Sequence, residues 1–364
     1  MNNKDEGGES KDTFSTTIGK PKGKVKTALA LISVLLVVAM VSVACSSDEK
    51  DETGSKTSTE KTSGAQIDFA KAPADDFVAR DAVLPPVEAA TTHKLTLTAE
   101  ETVMEVAPGV KQEMWTFNKQ SPGPVLRGKI GDTFDVTIKN EGKIGHSMDF
   151  HAGYAPWDTQ MRTIAPGEEI NYKFVAEYSG IWMYHCGTAP ALHHIGNGMY
   201  GAVIIDPPDL APVDNEYFLI QGEIYTGDQG KAGDLTKMQN DAWDAVVFNG
   251  YVSQYLHRPF KVDVNARVRV WVLDAGPSEN SSFHIVGTIF DTVYKEGNYL
   301  VRGGPGASQA LDLQPAQGGF VEFNLKFEGK YPIVTHKFSN VGKGAIGLFV
   351  AGDPKPVPGA EGGH

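Results

Sequence analysis

Cysteine is almost absent from this chain: 364 residues hold two, Cys45 and Cys186. Positive charge is also scarce, with 33 Lys and Arg against 45 Asp and Glu. One long apolar run occurs, the 17 residues from Ala28 to Ala44. Each shortage excludes something. A net charge of −12, falling to −14 once the +2 of residues 1–44 is set aside, argues against nucleic acid as a partner, because phosphate backbones are bound by clustered Lys and Arg. What is plentiful is glycine (40) and proline (21), which favour many turns and short strands over long helices. The length exceeds that of one typical domain and suggests two, with extra segments.

Lys20, Lys22, Lys24 and Lys26 precede the apolar run, which ends at Cys45, the layout of a targeting segment. Val43, Ala44 and Cys45 resemble a bacterial lipoprotein signal, whereas Ser42 stands where such signals usually carry a Leu-like residue. Two readings stand, a lipid anchor at Cys45 and an uncleaved single-span helix. In both, the lysines stay cytoplasmic and the rest is exported, tethered to the cell membrane. Residues 46–66 are rich in Ser, Thr, Lys, Glu and Asp and cannot offset ordering entropy by burial, so they read as a flexible tether. That leaves Cys186 as the one thiol of the folded region, with no internal disulfide to make. An unpaired cysteine in an exported domain wants a reason, and metal ligation supplies one.

Strand-like runs recur at Lys94–Thr98, Thr133–Lys139, Glu169–Val175, Gly201–Asp206, Arg267–Leu273, Phe320–Phe327 and Ile346–Ala351. Several alternate with the period of two that a half-buried strand requires. The two halves of the chain also echo each other. Phe117-Asn118 is followed by a strand and Phe150-His151; Phe248-Asn249 is followed by a strand and Phe283-His284. Gly180 to His185 parallels Gly329 to His336, and each leads to a glycine-rich closing strand. A single Phe-Asn pair could recur by chance, but the ordered set reads as duplication, with a boundary near Pro207 to Val213.

His146, Cys186, His194 and Met199 offer two imidazoles, a thiolate and a weak thioether, the donor set of a blue-type copper site. Taken singly, Met199 would be read as core filling, Cys186 as a buried apolar thiol and His146 as a hydrogen-bonded core histidine. Their combination is far more specific. Neighbouring residues on a strand point to opposite faces, so if Cys186 points inward, His185 points outward. The same parity places Asp149 and His151 on one face and His146 on the other. An outward metal held by His151 and His185 lacks a third ligand. His336, which duplicates His185 with Lys337 in the cysteine's place, is the candidate, and His284, duplicating His151, would lie near the same pocket. Without the duplication, His336 would read as a structural histidine at a strand end.

Over about residues 91 to 352 the chain resembles the copper-containing nitrite reductases, through WTFNKQSPGP (Trp115 to Pro124), HSMDFH (His146 to His151), YHC (Tyr184 to Cys186), HIGNGM (His194 to Met199), VFNG (Val247 to Gly250), FHIVG (Phe283 to Gly287) and Thr335-His336. The resemblance implies an all-β fold of two tandem cupredoxin-like Greek-key β-sandwich domains after the membrane-targeting segment and tether. The boundaries read as 1–45 targeting segment, 46–90 tether and lead-in, 91–208 first domain, 209–352 second domain and 353–364 disordered tail. It implies type 1 copper on His146, Cys186, His194 and Met199, and type 2 copper on His151, His185 and the His336 of a neighbouring subunit in a homotrimer. Asp149 and His284 would deliver protons, and Val286 would lie over the nitrite pocket. Nitrite would become nitric oxide and water, with electrons from an exported donor such as a cytochrome or small cupredoxin. Two other classes are the alternatives. A two-domain multicopper oxidase reducing oxygen needs several His-x-His pairs, and the ten histidines include none. A cupredoxin electron carrier would leave Asp149, His151 and His336 without a role.

Overall fold

The computed structural model describes residues 64–356. The targeting segment, most of the tether (46–63) and the end of the tail (357–364) lie outside the described residues. Among those described, no helix is long and apolar enough to cross a membrane.

The first half forms β1 (Thr92–Ala107), β2 (Val110–Phe117), β3 (Leu126–Lys129), β4 (Thr133–Asn140), β5 (Asp149–Phe150), β6 (Glu169–Val175), β7 (Gly180–His185) and β8 (Tyr200–Asp206). The second forms β9 (Asn215–Ile224), β10 (Ala245–Phe248), β11 (Phe260–Val262), β12 (Arg267–Asp274), β13 (Ser281–Ile285), β14 (Thr292–Lys295), β15 (Asn298–Arg302), β16 (Leu311–Leu313), β17 (Gly318–Asn324), β18 (Gly329–Thr335) and β19 (Ile346–Ala351). They assemble into four sheets, ordered β2-β1-β4-β6, β3-β8-β7-β5, β10-β9-β12-β17-β14-β15 and β11-β19-β18-β13-β16.

Burial explains the layering. In β4, Phe134, Val136 and Ile138 are fully buried while Thr133, Asp135, Thr137 and Lys139 between them are only half-buried, the period of an outer sheet with one face on a core. β8 is buried at every position. Val203 and Ile205 face the core shared with β1 and β4, and Ala202 and Ile204 face one shared with Phe218, Ile220, Trp271 and Phe320 of β9, β12 and β17. The second and third sheets therefore pack against each other inside, and the first and fourth lie outside. Truncating a core aromatic such as Phe150, wholly buried among Tyr172, Phe174 and Tyr184, to alanine costs about 3–5 kcal/mol by the usual cavity cost.

The echo between halves is a structural repeat. β1 runs parallel to β4, and β4 antiparallel to β6; likewise β9 runs parallel to β12, and β12 antiparallel to β17. The series β3-β8-β7-β5 is matched pairing by pairing by β11-β19-β18-β13. Even the Phe-Asn pairs do the same work. Asn118 and Asn249 both sit in the left-handed region at φ 56, which asparagine tolerates, and each exchanges hydrogen bonds with Thr98 and Ile220 respectively through its Oδ1 and backbone N–H.

Three expectations need correction. Composition extends the flexible tether to residue 66 and the lead-in to residue 90, yet Ala65 already donates its N–H to Gly227 O at 2.8 Å, Ala82 and Leu84 are buried, and Arg80 binds the carbonyls of Pro122 and Gly123. A few apolar residues and one arginine suffice to hold a segment whose average composition is polar. The run Phe320–Phe327 becomes β17, Gly318–Asn324: glycines start it, and Phe327 is 75% exposed. The tail read as disordered from Asp353 is likewise held at its start, where the Asp353 N–H reaches Glu328 Oε1 at 2.9 Å.

Candidate metal centres

The register of β5 on β7 sets Asp149 opposite His185 and Phe150 opposite Tyr184. Phe150 and Tyr184 face the core, so Asp149 and His185 share the outward face, and Cys186, the first residue beyond β7, turns back inward. Its N–H is fixed on Met199 O at 3.1 Å. Its Sγ receives the Ser147 N–H at 3.3 Å and lies 3.2 Å from His194 Nδ1. His146 is held by reciprocal backbone bonds with Ile164. One donor atom from each of His146, Cys186 and His194 lies within 4.8 Å of the others, and Met199 is fully buried in the same core.

The segment between Cys186 and Met199 carries a short helix, α1 (Ala191–Gly196), rather than open loop. The helix separates the two adjacent histidines, because successive helical side chains point about 100° apart. His194 faces Cys186, whereas His193 Nε2 donates to Gly233 O at 3.2 Å, and both rings lie against Trp115. Gly198 then turns the chain at φ 93, where a Cβ would fall 2.0 Å from Ser121 Oγ. Only glycine allows the backbone to enter the site from that side.

These donors are wholly buried and short of partners. Both ring nitrogens of His146 lack a hydrogen bond, which is costly for a buried polar group. Burial lowers the pKa of His146 and drives that of His194 down to about 3, with His146 and His193 adding to the second shift. Burial also raises the Cys186 thiol. Two imidazoles are thus kept neutral with lone pairs available, beside a thiol that needs a cation to displace its proton. Soft sulfur with two imidazoles suits copper.

On the outward face, His185 Nδ1 faces Cys186 O at 3.0 Å. A carbonyl only accepts, so Nδ1 carries the proton and Nε2 is the free lone pair. That Nε2 lies 3.1 Å from His151 Nε2, and Asp149 Oδ2 lies 3.8 and 3.9 Å from the two nitrogens. The group is partly exposed, from 14% for the His185 side chain to 33% for His151. Burial, and next the neighbouring His185, lower the His151 pKa. His151 Nε2 donates to the His185 lone pair, and once its proton is displaced two imidazole nitrogens converging beside a carboxylate in an open site can hold a cation and leave room for a small ligand.

His336, His284 and Val286 are not brought to this group. His336 follows β18, exposed, with its N–H on Ser282 O at 2.7 Å. Its ring lies 4.9 Å from that of His284, whose Nδ1 donates to Gln309 O and whose pKa is lowered by burial. Val286, half-buried, donates its N–H to Pro332 O at 2.8 Å. His284 and His336 form a second cluster at the repeated position of the other half. Sequence reasoning missed Ser147, which donates to the sulfur, and Glu101, whose Oε1 lies 3.5 Å from His146 Nε2. Nothing near the histidine motifs signals Glu101, which enters from β1.

A family model described as multicopper oxidase matches residues 98–210. Over 302 residues the chain is 34% identical to a copper-containing nitrite reductase of Neisseria gonorrhoeae, spanning 75% of this chain and 76% of that protein. Among solved structures, a copper nitrite reductase from Nitrosomonas europaea superposes with a TM-score of 0.67 at 35% identity, covering 72% of this chain and 94% of the other. A copper-containing nitrite reductase from Thermus scotoductus gives 0.66 at 28%, covering 73% and 64%. A likeness of this extent, in sequence and in fold alike, places the chain in the copper-containing nitrite reductase family.

Proposed function

We propose that the chain reduces nitrite to nitric oxide and water with one electron and two protons, and that the adjacency of His185 and Cys186 is what carries this reading. These neighbours belong to the two donor groups, so one peptide unit links the thiolate site to the imidazole site. His146, Cys186, His194 and Met199 would hold type 1 copper. His151 and His185, with His336 from a neighbouring subunit of a homotrimer, would hold type 2 copper. Copper at the two sites supplies an electron relay and a Lewis-acidic position for nitrite.

The chain's own residues do the rest. Cys186 Sγ and the His185 ring form the covalent path between the sites, held by the Cys186 O to His185 Nδ1 hydrogen bond. Asp149, beside both imidazoles, supplies a proton to the departing oxygen. His284, with Nδ1 committed to Gln309 O, presents Nε2 as the second proton carrier, and Val286 bounds the nitrite pocket. The exposed His284–His336 cluster suits a role across a subunit boundary, since each half supplies part of a site that one chain leaves incomplete. The electron donor would be an exported cytochrome or small cupredoxin, meeting an enzyme tethered to the membrane through its N-terminus.

The test is to load the purified full chain with copper, count metal per chain and measure nitric oxide from nitrite with a reduced dye. Two coppers per chain are expected. His336→Ala should lose one copper and the nitrite activity while the thiolate absorption persists. One copper in the parent chain, or oxygen consumption without nitrite turnover, would overturn the reading.

A further inference from the structure

Among the described residues, Glu101 is the one acidic side chain paired with the thiolate site. It comes from β1, opposite Trp115 in the register with β2, and its side chain is 5% exposed. Both carboxylate oxygens accept from the Lys143 N–H, at 3.0 and 2.9 Å. Oε1 then lies 3.5 Å from Nε2 of the fully buried His146, in ion-pair range though too poorly aligned to make a full hydrogen bond, since that nitrogen has no partner. The loop that brings them together is fastened by Asn140, whose Nδ2 donates to Ile144 O and Ile164 O and whose Oδ1 accepts from Gly142 N.

Gly142 makes the approach possible. A Cβ there would meet Glu101 Oε1 at 3.0 Å, Oε2 at 3.1 Å and His146 Nε2 at 3.1 Å, so a methyl group would wedge between carboxylate and ring. The carboxylate can only accept a proton, which makes Nε2 the protonated nitrogen of His146 and leaves Nδ1 as the lone pair for the site. A carboxylate so placed orients a ligand histidine and raises its basicity. It also puts a fixed negative charge in a medium of low dielectric, where charge acts far more strongly than in water.

We propose that Glu101 is a positioning residue for His146, fixing its Nε2-protonated form and lowering the reduction potential of copper held by the thiolate set. The inference rests on the type 1 assignment made above. A negative charge favours the oxidised, more positive ion over the reduced one, so its removal shifts the equilibrium toward the reduced form.

The experiment is a redox titration of the copper-loaded full chain against mediators, followed by the visible thiolate-to-copper absorption. Glu101→Gln should shift the oxidised-to-reduced ratio about tenfold toward reduced, equivalent to about 59 mV for one electron. Gly142→Ala should move it the same way by less, and it decides the matter if Glu101→Gln does not fold. An intact absorption band with an unmoved potential in the folded variants overturns the role of Glu101 alone. A parent chain without the band overturns the type 1 assignment, and the role of Glu101 with it.

Discussion

The two halves of the chain build the same corner from the same strands and fill it differently. In the first, His151 follows β5, His185 ends β7, and His146 and Cys186 lie buried behind them. In the second, His284 lies in β13 and His336 follows β18, but the residue five before the strand histidine is Glu279 and the residue after the late histidine is Lys337. Lys337 Nζ binds Glu279 Oε1, whose side chain is 1% exposed. A soft donor set in one half thus corresponds to an ion pair in the other. The scaffold fixes where the outward histidines go, while the residues behind them make either a donor group that could take a metal or an ion pair.

Breaking the first corner should have the largest effect. Cys186→Ser keeps a small polar group beside the Ser147 N–H but removes the soft ligand. The visible absorption should vanish and dye-driven nitric oxide production should fall to the copper-free background, with the far-UV circular dichroism unchanged. Retained absorption would contradict the assignment of the sulfur. In the second corner, Lys337→Met leaves Glu279 buried without its cation. A loss of about 3 kcal/mol is expected in denaturant unfolding at neutral pH. An unaltered midpoint would mean that the pair contributes nothing. A smaller effect, on rate, belongs to Asp149→Asn: kcat for nitrite should drop on the order of 100-fold, as for a lost general acid, with copper content preserved. Equal rates would remove Asp149 from proton delivery.

Much of this was legible in the sequence because strand parity is a strong rule. The alternation His146, Met148, Phe150 against Asp149, His151 appears in the burial of those residues, and the register of Asp149 on His185 follows it. Ordered duplication likewise matched real pairing, strand by strand. What could not be read depends on contacts far apart in the chain or on local helix geometry. Spacing favours His194 over His193 by its five residues to Met199, and the geometry of α1 gives the physical reason. Glu101 reaches His146 from 45 positions earlier, through a loop fastened by Asn140 and opened by a missing Cβ at Gly142. The hold on Ala65 and Arg80 comes from partners more than 40 residues away, which composition averages cannot register.

The second corner also backs onto a pair of buried acids, Glu223 and Asp274, whose protons give the subtlest test. Glu223, 3% exposed, accepts the Ser278 and Glu279 N–H groups on Oε1 and the Tyr225 hydroxyl on Oε2. Burial nevertheless pushes its pKa up to about 7, and Asp274 nearby is raised as well, by burial first and then by Glu223. A folded-state pKa above the unfolded value means that the folded chain binds the extra proton. The resulting stability is fully present below the ordinary glutamate range and is lost as pH rises through about 7. For Glu223 alone this amounts to up to about 3 kcal/mol. The copper-free chain should therefore lose stability steadily between about pH 4.5 and 7, and Glu223→Gln, which keeps the shape without the titration, should flatten that decline. Were the slope the same in both proteins, the proton would have to reside on another group of this corner, Asp274 first.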